Sequence, residues 1–145
     1  MSKFSFSDFE EGREYDLGKR VLTEQEIIDF AKLVDPLDFH TSVEAGRKSH
    51  FKGLVASGAH VFTKFHIEAW LPLFKDTVMA GLEVNHWKFI RPVYPGVEIN
   101  GTATIKSIKP NREKAHAVVV WKYRFFDCDG NNLQLAESVL LHKMD

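Results

Sequence analysis

The sequence predicts an α+β fold, one domain over residues 1–145 in which a long helix covers a face of an antiparallel sheet. Three observations carry this. Two segments in the first half place apolar residues at helical spacing: Ile27, Phe30, Ala31 and Val34, then Gly58, Val61, Phe62, Phe65 and Ala69. The second half alternates apolar and polar residues in runs divided by turn signals. A chain of 145 residues, 44% hydrophobic, is long enough to bury one core.

Taken in order, residues 1–14 set Phe4, Phe6 and Phe9 among polar neighbours and are expected to lie as an arm over the body. Tyr15 to Val21 is a first strand. Thr23-Glu24-Gln25-Glu26 is a capping box opening an amphipathic helix of about three turns, and Pro36 ends it by forcing Asp35 out of the α region. Residues 41–54 read as loop with one short helical turn at Val43-Glu44-Ala45. Ser57 is placed as the N-cap of the long helix, which ends or kinks at Pro72. Strands follow at Leu82–Ile90, at Ile99–Lys106, at Ala117–Phe125 and through Leu133, Leu135, Val139 and Leu141. Lys109-Pro110-Asn111-Arg112 and Asp129-Gly130 are the turns between them.

The formal net charge of −1 lacks the basic excess of a nucleic-acid binder. No stretch approaches the roughly 20 apolar residues of a membrane span, and the first residues form no signal-peptide run. The one cysteine, Cys128, fits a reducing compartment. The expectation is a cytoplasmic protein without nucleic-acid or membrane partners.

Chemistry concentrates between Asp35 and Gly58. Asp35 and His40 stand five positions apart on a segment that proline keeps from being regular helix. Ala56-Ser57-Gly58 then opens a long helix, whose free N–H groups suit a developing oxyanion. From spacing alone, a helix-ending Asp and a surface His are the simpler reading. No HExxH or Cys/His cluster is present, so no metal is expected. No GxSxG elbow surrounds Ser57, so it is read as a cap and not as a nucleophile.

Three motifs in order change the balance. Asp35-Pro36-Leu37-Asp38-Phe39-His40, then Ser49-His50-Phe51-Lys52-Gly53-Leu54-Val55-Ala56-Ser57-Gly58, then Phe89-Ile90-Arg91-Pro92-Val93-Tyr94-Pro95-Gly96-Val97 resemble the signatures of the MaoC-like dehydratases, relatives of the (R)-specific enoyl-CoA hydratases. The resemblance implies a hot-dog domain, a curled antiparallel sheet wrapped around the Gly58–Trp70 helix, and a homodimer or dimer of dimers. It implies reversible hydration of a trans-2-enoyl thioester, with no cofactor beyond the CoA or acyl-carrier thioester itself. Asp35 would activate water and His40 would handle the second proton. Gly58, with Ser57, would hold the thioester oxygen. Phe39, Phe51, Val55 and His66 are candidates for the pocket wall, and Lys52 and Arg91, with Arg47 and Lys48, for the CoA tail. Leu37, Asp38 and Val97 depart from the family pattern, and Asp38 is a second carboxylate able to compete as base. Two rival readings stand beside this one: an acyl-CoA thioesterase using Glu68, and a non-catalytic subunit that only binds acyl thioesters.

Overall fold

The computed structural model describes residues 1–145. Five strands form one antiparallel sheet: β1 (Glu14–Val21), β2 (Val78–Phe89), β3 (Glu98–Asn111), β4 (His116–Phe126) and β5 (Asn132–Lys143), in the order β1-β3-β4-β5-β2. Between β1 and β2 come α1 (Glu24–Val34), α2 (Asp38–Thr41), α3 (Val43–Lys48) and α4 (Gly58–Phe65). The helical path of α4 continues through a π-helical turn at His66–Trp70, α5 (Leu71–Phe74) and a 3₁₀ turn at Lys75–Thr77.

The capping box forms as its residues dictate. Glu26 N–H donates to Thr23 Oγ1 at 3.1 Å, and Thr23 N–H donates to Glu26 Oε2 at 3.2 Å. The single turn expected at Val43-Glu44-Ala45 is the start of a longer helix, α3, because Ser42 caps it by accepting from Ala45 N–H at 3.2 Å, and a further short helix, α2, precedes it. Pro72 neither ends the helix nor breaks it. Proline lacks the N–H of a regular turn, and the widened turn before it, with Leu71 N–H bonding His66 O, carries the helical path on to Thr77.

The sheet also departs from expectation in three places. β2 begins at Val78 rather than Leu82. β3 runs through Lys109 and Pro110 to Asn111, and the chain reverses at 112–115, with Ala115 N–H donating to Arg112 O and Ala115 at φ 55°. Pro110 is tolerated beyond the last residue that β1 covers (Glu14 pairs with Thr104), where Glu11 Oε1 accepts the Ile108 N–H at 2.8 Å instead. In β5 the register shifts between the pairs Phe125–Gln134 and Phe126–Asn132. That bulge reverses the phase, so Gln134, Ala136 and Ser138 are buried while Leu135 is only half-buried.

The core lies between the central helix and the sheet. Phe65 presses against bare backbone: a Cβ on Gly101 would meet its Cε1 at 2.6 Å. Val61, Phe65, Trp70 and Phe74 from the helix are sealed against Ile105, Val119, Trp121 and Phe125. Each such side chain contributes about 1.5–3 kcal/mol by leaving water. At the far end, His142 is buried between Trp121 and Thr77. Trp121 Nε1 donates to its Nε2 at 3.1 Å, so its Nδ1 carries the proton toward Thr77 Oγ1 at 2.7 Å, which in turn donates to Phe74 O. The N-terminal segment lies over this end, with Phe4 N–H on Leu73 O and the Phe4 and Phe9 rings against Phe74. No helix is long and apolar enough to cross a membrane.

Candidate active site

Asp35 is the C-cap of α1. Its N–H still bonds Ala31 O at 2.8 Å, but its backbone has left the helix at φ −154°, ψ 72° because Pro36 follows. The chain turns at once into α2, which swings His40 back toward the carboxylate. His40 Nε2 lies 3.5 Å from Asp35 Oδ2. His40 is buried, and its Nδ1 is 2.6 Å from the Val55 carbonyl. A carbonyl only accepts, so Nδ1 must carry its proton, and Nε2 is the nitrogen free to gain or lose one. On α2, Asp38 is exposed and lies outside the cavity wall, unlike Asp35.

Ser57 occupies the N-cap position of α4 but makes no side-chain capping bond. Its hydroxyl donates to Asp35 Oδ2 at 2.8 Å, which corrects its assignment as a cap. Gly58 follows. A Cβ there would meet Phe89 Cε1 at 2.3 Å, so only glycine lets the ring and the helix start approach. Gly58 O accepts from Gln134 Nε2 at 2.9 Å; the His60 N–H bonds Ser57 O, which leaves the Gly58 and Ala59 N–H groups at the helix start without an intrahelical acceptor.

These groups border an open cavity of about 370 Å³. Asp35, His40 and Gly58 stand on its wall with the expected pocket residues Phe39, Phe51 and Val55, and Arg91 lies on it too. The wall is held by backbone bonds from Val55 N–H to Phe39 O and from Ala56 N–H to Val93 O, and by the Tyr94 hydroxyl on Phe51 O at 2.6 Å.

Several expected residues are elsewhere, and Ser57 too is not on the cavity wall. His66 sits on the π-helical turn beside Phe62 and Trp70, around a separate packing gap with no room for a water molecule. Its place is the helix–sheet layer, not the wall beside Asp35, and burial pushes its imidazole below the ordinary value of 6.5. Lys52 is exposed at φ 60° and does not line the cavity. Val97 is likewise off the wall, as are Arg47 and Lys48. Glu68 forms ion pairs with Arg20 Nε at 3.1 Å and Lys64 Nζ at 2.8 Å, away from the cavity. His60 stacks flat on Phe30 at 4.2 Å and is pushed by burial down to about 4. Gln134 and Phe89 were not anticipated. The β5 bulge hides Gln134, because without it the position reads as an outward polar residue of a simple alternation. A hollow of about 420 Å³ on the outer sheet face is bordered by Lys88, Lys122 and Arg124 and also holds a His–carboxylate pair, His86 Nε2 at 3.4 Å from Glu137 Oε2, but there the imidazole is exposed and the carboxylate is already paired with Lys106 at 2.8 Å.

The MaoC like domain family matches residues 8–123, and the chain belongs to that family. Among individual relatives, the uncharacterized protein YdeM of Bacillus subtilis is 30% identical over 101 residues, 68% of this chain and 71% of that protein. The structure is similar to the MaoC-like dehydratase from Rhodospirillum rubrum, with a TM-score of 0.83, 24% identity and 97% of each chain covered. It is also similar to the R-hydratase PhaJ1 from Pseudomonas aeruginosa, with a TM-score of 0.75, 20% identity, and 96% of this chain and 85% of that chain covered. The fold is thus the hot-dog fold of the MaoC-like proteins.

Proposed function

We propose that this protein hydrates a trans-2-enoyl thioester, and in reverse dehydrates a 3-hydroxyacyl thioester. The observation that carries this reading is the 3.5 Å approach of His40 Nε2 to Asp35 Oδ2 on the wall of a largely apolar cavity that also contains the start of a helix. Asp35 takes a proton from water as the oxygen bonds to C3. The C2–C3 electron pair moves toward the thioester carbonyl, and the oxyanion forms against the Gly58 N–H. Protonated Nε2 of His40 delivers its proton to C2 as the carbonyl re-forms. The proton on Asp35 then passes to Nε2, closing the cycle with one water added across the double bond.

Arg91, at the cavity edge, is the cation for the phosphates of a CoA or acyl-carrier arm. Two copies pair along β2, whose outer edge is unpaired and carries the exposed Met79, Leu82, Val84, Trp87 and Phe89, followed by Ile90. Phe89 and Ile90 also line the cavity, so a second copy on this edge would cover its mouth. The structural likeness to the R-hydratase PhaJ1 agrees with this chemistry. The thioesterase reading loses ground because Glu68 is held by two cations outside the cavity.

The test is purified protein with crotonyl-CoA and a longer trans-2-enoyl-CoA. Loss of conjugated-thioester absorbance without thiol release, abolished in Asp35→Asn and His40→Ala, is expected. Thiol release would identify a thioesterase instead. Binding without turnover of either substrate would favour a carrier or scaffold subunit.

A further inference from the structure

We propose that Ser57 is a positioning residue for the Asp35 carboxylate and does not contact the substrate; this rests on the hydration reading above. Asp35 stands at a helix exit with its side chain about one-third exposed, 37%. A carboxylate so placed has two free side-chain torsions and a choice of which oxygen to present. Ser57 removes that freedom. Its hydroxyl donates to Oδ2 at 2.8 Å across 22 residues of sequence, and no protein donor reaches Oδ1. His40 Nε2 approaches the same Oδ2. One oxygen is therefore tethered by two groups, and Oδ1 is left as the atom that can accept a proton from water.

Ser57 is itself fixed. It is 1% exposed, its carbonyl accepts from His60 N–H, and its neighbour Ala56 is tied to Val93. The hydroxyl is turned toward Asp35 and accepts no bond from α4, so the Gly58 and Ala59 N–H groups receive no side-chain cap. One side chain thus serves both needs of the site, an oriented base and an open helix end. Ser57 is off the cavity wall, which separates its role from that of a substrate ligand. Holding a reacting group in its working geometry affects the rate, with little effect on ground-state affinity.

Two measurements on the full-length protein test this. With crotonyl-CoA, Ser57→Ala is expected to lower kcat by roughly tenfold to a hundredfold while KM stays within about twofold. A raised KM at unchanged kcat would overturn the proposal by making Ser57 a substrate contact, and unchanged kcat and KM would overturn it outright. Urea unfolding of Ser57→Ala, Asp35→Ala and the double variant reads the bond itself without substrate. The unfolding constants should be non-additive by roughly threefold to thirtyfold, and additivity would overturn the proposal. Wild-type protein inert toward enoyl thioesters but with a coupled cycle would remove the hydration reading and leave the Ser57–Asp35 tether standing. It would also overturn the catalytic purpose assigned to that tether.

Discussion

The ring of Phe89, from the last residue of β2, lies directly on the backbone of Gly58, the first residue of α4, with no space for a side chain between them. The edge strand and the start of the central helix therefore meet at the cavity. Gly58→Ala should push the ring aside, which is feasible because Phe89 is 60% exposed. A melting temperature within a few degrees of wild type together with loss of hydration is expected. Calorimetry and the crotonyl-CoA assay check both.

Gly101 is the opposite case. Phe65, which faces it, is 1% exposed and has nowhere to move. Gly101→Ala should destabilise the fold by about 1–3 kcal/mol, read from the urea midpoint at unchanged m-value.

Stability should fall as the solution is acidified. His60 and His142 are both pushed by burial from 6.5 down to about 4, so the folded protein resists protons that the unfolded chain accepts. Their contribution is fully present above about pH 6.5 and is lost as pH falls toward 4, at about 1.4 kcal/mol per unit for each group. Urea unfolding between pH 7 and 4 measures the slope, and a His142→Gln variant should flatten it.

The β2 edge gives a prediction about assembly. Val84 is 55% exposed on a strand paired on one side only. Under the proposed pairing along β2, Val84→Arg should convert dimers to monomers in sedimentation velocity, since a desolvated charge would then lie between the copies. Activity should fall with it, because the cavity mouth lies along the same edge.

Glu68 separates the two enzyme readings. Glu68→Gln breaks ion pairs to Arg20 and Lys64 that are partly open to solvent, and should cost about 1 kcal/mol or less. Hydration kinetics should be unchanged. A large loss of thioester turnover would return the thioesterase to first place.

Local chemistry made much of this molecule legible from its residues. Thr23 and Glu26 form a cap from side chains three apart, Pro36 ends a helix by sterics with its neighbour, and period-two alternation marks strands wherever no bulge intervenes. Asp35 and His40 were visible because the turn that joins them is itself local. Their companions were not. Ser57 reads as a helix cap until Asp35, 22 residues away, is brought within reach of its hydroxyl. Gln134 reads as a surface residue until a one-residue bulge reverses the phase of β5. His66 reads as a pocket residue until the π-helical turn and its stacking on Phe62 and Trp70 locate it in the helix–sheet layer. Most elements and the closeness of Asp35 to His40 are readable along the chain, because capping, proline sterics and alternation act over a few residues. Which second groups hold that pair and which faces remain open emerges on folding, because those depend on contacts between segments that no local spacing records.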